Sequence, residues 1–126
     1  MGQKIFPNQN QAGFTLIEII TVLIILGILA AVAVPKLMDI TADARGKAMK
    51  GALAEGMATM SAAYAKLMLE DGLATTGEVA AYATSNPPAS DEFAYAFAAG
   101  GLVTVSGKAG SGFQGAPSVT KTWAKP

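Results

Sequence analysis

The pattern of hydrophobic and polar residues divides the chain at about residue 36. From Phe14 to Val34 the 21 residues carry one charge, the carboxylate of Glu18. As a helix this run would extend about 31 Å, which matches the hydrocarbon thickness of a bilayer. Lys36 follows and can place its ammonium among headgroups. The pattern therefore predicts a membrane-spanning helix over residues 14–35.

Beyond Pro35 the apolar residues recur with a helical period of 3.6, which predicts that the helix continues through residues 36–70. The stripe steps by three or four residues and consists of Met49, Leu53, Met57, Met60, Tyr64 and Leu67. Glu70-Asp71-Gly72 is typical of a helix end, with Gly72 as the C-terminal cap. We interpret the stripe as the face that packs on the rest of the chain.

Residues 71–126 form a small head with shorter elements. Thr76–Tyr82 indicates a short helical turn, and Ser85-Asn86-Pro87-Pro88 indicates a loop. Alternating or β-branched runs predict three antiparallel strands, at 93–97, 102–106 and 119–123. A glycine-rich loop covers residues 107–117, and with no cysteine in the chain we expect neighbouring subunits to hold it. The predicted fold class is α+β, a long helix on a small antiparallel sheet.

Composition excludes several functions. The chain has nine basic and nine acidic residues, no histidine and no cysteine. The balanced charge argues against a nucleic-acid partner. The lack of histidine lowers the expectation of acid–base catalysis. Gly107-Lys108-Ala109 lacks the other residues of a phosphate loop, and Asp91-Glu92 is typical of a turn. We predict no catalytic residues, no metal site and no cofactor.

Glu18 needs an explanation because a carboxylate in lipid is costly and usually has a partner. One interpretation places Glu18 in the interface, where water reaches it, on a plain N-terminal anchor or an uncleaved signal. The other requires cleavage after Gly13, so that the new amine of Phe14 on one copy can neutralise Glu18 on the next. Such a pair would select the register between helices.

The stretch Gly13-Phe14-Thr15-Leu16-Ile17-Glu18 resembles the type IV prepilin signature, with Gly27 and Pro35 at the family's usual spacings. The resemblance implies that residues 1–13 are a leader and that a prepilin peptidase cuts between Gly13 and Phe14 and N-methylates Phe14. It also implies that Phe14, Thr15 and Glu18 register incoming subunits. Other implied partners are the inner membrane, a platform protein and a motor ATPase.

Gly27 and Pro35 weaken the helix, Pro35 by removing a backbone hydrogen bond. We predict that the stretch between them kinks or unwinds in a filament. Alternatively, Gly27 and Ala31 form a close contact between helices.

The resemblance is compatible with two kinds of filament. The first is a type IV pilus, with the chain as its major pilin, moving from the inner membrane to the cell surface. The second is the pseudopilus of a type II secretion system. The major pseudopilins usually carry an acidic calcium-binding loop near the C-terminus, whereas no acidic residue follows Glu92 here. A third class, a membrane-anchored enzyme or binding protein, would need a polar cleft in a very small head.

Overall fold

The structure is a computed structural model that describes Gly2 and residues 13–126. It contains two helices, α1 (Leu16–Asp71) and α2 (Thr76–Ser85), followed by three strands, β1 (Phe93–Phe97), β2 (Leu102–Gly107) and β3 (Val119–Thr122). The chain divides into two units, residues 1–39 and 40–126. The α+β class predicted from the sequence is confirmed, whereas most of the predicted leader lies outside the described residues.

The first unit contains the beginning of α1. Every described residue from Gly13 to Asp39 is exposed, including the large side chains of Leu23, Leu29 and Val32. By length and composition α1 can cross a membrane. Because no side chain of this unit is buried among the described residues, its apolar surface has to be covered by lipid or by protein.

The second unit contains the sheet, in which the strands follow one another in the order β1-β2-β3. Both pairs are antiparallel. Tyr95 lies opposite Val105 in the first pair, and Val105 lies opposite Val119 in the second. The central strand β2 buries Val103 and Val105 completely. β3 is an edge strand of four residues, mostly exposed.

One face of α1 packs on this sheet and on α2. The predicted stripe is confirmed: Met49 and Met60 are buried, and its other members are half-buried. The buried face is wider than the large apolar residues indicate, because it also includes Ala52, Gly56 and Ala63. A Cβ on Gly56 would lie 2.8 Å from Val103 Cγ1, so the helix approaches the sheet more closely there than a side chain allows. This contact explains Gly56, one of the four glycines within α1.

One local prediction needs correction, and another is confirmed. The expected helical turn at residues 76–82 is a helix of ten residues that includes Ser85, which we had assigned to a loop. The capping box of Thr75 and Glu78 fixes its start. Burial of Val79, Ala80 and Ala83 in the core favours helix beyond residue 82. The predicted end of α1 is confirmed, with Gly72 at a φ of 71° and its N–H donating to Met68 O.

The glycine-rich loop is held by its own subunit, contrary to the expectation that neighbours hold it. Its backbone and side chains bond to one another: Gly110 N–H donates to Gln114 Oε1 at 2.9 Å, and Ser111 Oγ donates to Lys108 O at 2.8 Å. The Phe113 ring packs on Phe93 with centroids 4.6 Å apart. The sequence did not reveal this anchor because the two phenylalanines are twenty residues apart.

The C-terminal segment is fastened without a disulfide. Trp123 is buried, its backbone N–H donates to Gly101 O, and its indole Nε1 donates to Ser61 Oγ at 3.0 Å. Lys125 Nζ donates to Ala74 O at 3.1 Å and lies over the ring of Tyr64. Hydrogen bonds and a buried indole therefore hold the C-terminal segment in place, as a disulfide could.

Candidate processing and assembly site at the start of the first helix

The predicted cleavage position lies immediately before α1. Gly13, Phe14 and Thr15 are outside the helix and exposed, and Phe14 keeps 79% of its surface accessible. A Cβ placed on Gly13 would have no neighbour within 4 Å. An exposed segment without helical hydrogen bonds is the kind of backbone that proteases reach. Cleavage itself stays a prediction.

Thr15 and Glu18 are brought together by the first turn of the helix. Glu18 N–H donates to Thr15 Oγ1 at 3.3 Å, and Thr15 N–H lies 3.5 Å from Glu18 Oε2. This reciprocal arrangement is that of a capping box, in which the acid satisfies a backbone donor that the helix leaves free. Our reading of the sequence missed it, although a Thr-x-x-Glu spacing before an apolar run is its known signal.

The capping box gives Glu18 a role within the subunit. A carboxylate in the first turn also interacts favourably with the positive end of the helix dipole. Both Thr15 and Glu18 are exposed. The carboxylate is therefore oriented toward the start of the helix, on the side of Phe14, and is still accessible to another molecule. Its pairing with the amine of a neighbouring copy remains a prediction.

Gly27 and Pro35 both lie within α1, which is helical on either side of them. A Cβ on Gly27 would meet nothing within 4 Å. A helix that continues on either side of Gly27 and Pro35 is suited to lipid, where unbonded backbone is costly. Unwinding of this stretch in a filament stays a prediction.

The acidic pair Asp91-Glu92 lies immediately before β1. Asp91 and Glu92 lie in a turn, where Ser90 Oγ accepts from the N–H groups of Glu92 and Phe93. Among residues 13–126 no group of three or more histidine, cysteine or acidic side chains is arranged to hold a metal ion. The hydrogen bonds of Ser90 fix the backbone of this acidic pair immediately before β1.

Comparisons with known proteins agree with this reading of the N-terminus. The family described as "Prokaryotic N-terminal methylation motif" matches residues 8–34. The type II secretion system core protein G of Pseudomonas aeruginosa (strain PAO1) is 51% identical over 44 residues. That alignment covers 35% of this chain, and the chain spans only 31% of the relative's length. No solved structure matches the chain.

The methylation motif, the similarity to a secretion-system core protein and a long apolar helix packed on a three-stranded sheet point to the same conclusion. These findings support a class III-signal pilin or pseudopilin family for the N-terminal segment of this chain.

Proposed function

We propose that the chain is the major structural subunit of a type IV pilus. A prepilin peptidase removes residues 1–13, methylates the amine of Phe14, and leaves a subunit anchored in the inner membrane by residues 14–35. A platform protein and a motor ATPase then drive its polymerisation into an extracellular filament. The role is structural, and we assign the chain no catalytic residue, cofactor or metal.

The observation that carries this proposal is the bare apolar surface at the start of α1. Residues 14–34 contain one charged side chain, and no side chain of this segment is buried. Lipid covers this surface while the subunit is in the membrane. In the filament, the packed helices of neighbouring subunits cover it. Glu18, accessible beside the future chain end, would then meet the Phe14 amine of an adjacent copy and set the stagger between helices.

A subunit of a type II secretion pseudopilus is the second candidate. The Pseudomonas relative favours it by its name, but the alignment covers about a third of either chain. Against it stands the absence of any acidic residue after Glu92, where the major pseudopilins usually carry a calcium-binding loop. We therefore favour the pilus.

The test is mass spectrometry of fibres sheared from cells that produce the chain, together with the secreted proteins of a strain that lacks it. A fibre subunit that begins at methylated Phe14, with normal secretion in the deletion strain, supports the pilus. Loss of secreted proteins without surface fibres supports the pseudopilus. A product that keeps residues 1–13 and stays in the membrane as a monomer contradicts both.

A further inference from the structure

The second unit has two pockets that share Lys50, each with a volume of about 400 Å³. One pocket lies between α1 and β3, and its floor is formed by Leu53, Ala54 and Met57. The other lies between α1 and the glycine-rich loop. It is lined by Ala42, Arg45, Gly46, Met49, Gln114, Gly115, Ala116, Pro117 and Val119. Together they form an apolar surface along one side of the helix, which we call the helix–loop groove.

Charge in this groove has one sign. Arg45, Lys50 and Lys121 are the charged residues among those that line it, and no acidic side chain does. Asp43, on the same helix, does not line it and pairs with Lys47 at 2.7 Å. An apolar floor with a cationic rim fits a partner that offers exposed apolar side chains next to carboxylates.

The chain carries such a segment at the other end of this part of α1. Leu69 and Leu73 are 88% and 80% exposed. Between them lie two acidic residues, Glu70 and Asp71, and the glycine that ends the helix. Glu70 lies near Lys66 at 3.7 Å, and both side chains remain about half accessible. We call residues 69–73 the helix-end knob.

We propose that the helix-end knob of one copy docks in the helix–loop groove of the next, with the leucines on the floor and the carboxylates at the cationic rim. The inference rests on the proposed filament. Lys50 and Asp71 are separated by about 31 Å of helix, so the two surfaces cannot meet within one subunit. A contact between two different surfaces does not close on itself and continues along a filament.

The test uses engineered cysteines, because the chain has none of its own. The variant carries Ala54→Cys in the groove and Leu69→Cys in the knob, and its sheared fibres are mildly oxidised. About 22 Å of helix separates these positions in one subunit, whereas a disulfide needs Cα atoms about 4.4–6.8 Å apart. The expected result is a ladder of disulfide-linked multiples of the mature subunit.

Three further variants sharpen this result. Replacing Ala54→Cys by Ala58→Cys keeps an exposed helical alanine that does not line the groove, and we expect no ladder. Adding Lys50→Glu to the cysteine pair places acid against acid, so we expect about a tenfold weaker ladder. Adding Asp71→Lys as well should restore the ladder. Asp71→Lys should be tolerated in the fold, because a cation at a helix C-terminus is favourable.

Three outcomes would overturn the contact. The first is normal fibres from the Ala54/Leu69 cysteine pair without a ladder, which leaves the proposed function standing. The second is a cross-linked band whose mass is not a multiple of the subunit, which would place a different protein in the groove. The third is a complete lack of fibres from the unmodified chain, which removes the proposed function as well.

Discussion

At the residue scale, two glycines of α1 have different surroundings. Gly56 lies under the sheet, where a Cβ would lie 2.8 Å from Val103 Cγ1 and 3.3 Å from the Tyr95 ring. Gly51 belongs to the same helix, but a Cβ there would have nothing within 4 Å. The sequence shows two equivalent glycines in a helical pattern, and only the packing distinguishes them.

We predict opposite effects of alanine at these two positions. Gly56→Ala should lower the free energy of unfolding by about 1–2 kcal/mol, because overpacking against a buried β-branched side chain outweighs the gain in helix propensity. Gly51→Ala should raise it by about 0.5–1 kcal/mol. Denaturant unfolding of the full chain in detergent, followed by the fluorescence of its single tryptophan, measures both. Equal effects would contradict the close contact at Gly56.

Tyr95 is the residue whose acidity the fold changes most clearly. Burial, followed by the hydrogen bond that its hydroxyl donates to Glu55 Oε2 at 2.8 Å, raises the pKa of Tyr95 to about 12. The ordinary value is 10.0. Because the pKa is raised in the folded state, the associated stability is complete below pH 10 and is lost as the pH rises toward 12.

The expected outcome is a tyrosine that ionises late in an absorbance titration of phenolate. Tyr95→Phe should remove this late step, and Glu55→Ala should move it to lower pH without abolishing it, because burial remains. A titration in which Tyr95→Phe leaves the late step unchanged would contradict this assignment.

At the element scale, α2 begins with a capping box that stabilises its first turn. Thr75 N–H donates to Glu78 Oε2 at 2.8 Å, and Glu78 N–H donates to Thr75 Oγ1 at 3.3 Å. The hydrogen bonds from the Thr75 backbone and hydroxyl lower the pKa of Glu78 below its usual 4.5. The same Thr-x-x-Glu arrangement begins α1 at Thr15 and Glu18.

We predict that removing the α2 cap weakens the head. Thr75→Ala should cost about 1 kcal/mol of unfolding free energy. Because the pKa of Glu78 is lowered by folding, its contribution is present above pH 4.5 and is lost as the pH falls below that value. Below pH 4.5 the unfolding free energy of Glu78→Gln should therefore fall less steeply with decreasing pH than that of the unmodified chain. An unchanged acid slope in that variant would contradict the cap.

The glycine-rich loop supplies a second test at this scale. A Cβ on Gly107 would lie 2.0 Å from Phe113 O, so the loop closes directly onto the end of β2. Gly107→Ala has to displace backbone, and we expect a loss of about 1–3 kcal/mol or more. Gly112→Ala is the matched control, since nothing lies within 4 Å of a Cβ there. Comparable losses in the two variants would mean that the loop is not anchored as described.

At the scale of the whole molecule, function depends on surfaces that the lone subunit leaves uncovered. The apolar start of α1 is suited to lipid and to a filament core, and we propose that Glu18 distinguishes between copies in register and out of register. Because of the capping box, Glu18 already has a hydrogen-bond partner, Thr15, before assembly.

Glu18→Ala should therefore separate assembly from processing. We expect the variant to be inserted and cut after Gly13, yet to give few or no fibres, because no carboxylate meets the Phe14 amine. Thr15→Ala removes the cap but keeps the carboxylate, and it should retain more fibres than Glu18→Ala. Mass spectrometry of the membrane fraction and fibre yield after shearing measure the two steps. Normal fibres from Glu18→Ala would contradict charge pairing.

The sequence alone determined the features that depend on near neighbours along the chain. Periodicity predicted α1 and its buried stripe, Gly72 predicted the end of α1, and alternation predicted the three strands. The short motif at Gly13–Glu18 indicated the candidate site, since its residues are adjacent. The predictions of the helix, of its end and of the strands succeeded because helical period, turn chemistry and strand alternation are local properties. The role of the motif stays a prediction.

Only the tertiary structure decided the features that join distant residues. It showed that Trp123 is fastened by Ser61, that Phe113 anchors its loop on Phe93, and that Gly56 lies where the helix meets β2. It also placed cations around an apolar groove, while two leucines and two carboxylates remain exposed at the helix end. Contacts of this kind arise from the three-dimensional packing of separate elements, and no local pattern in the chain specifies them.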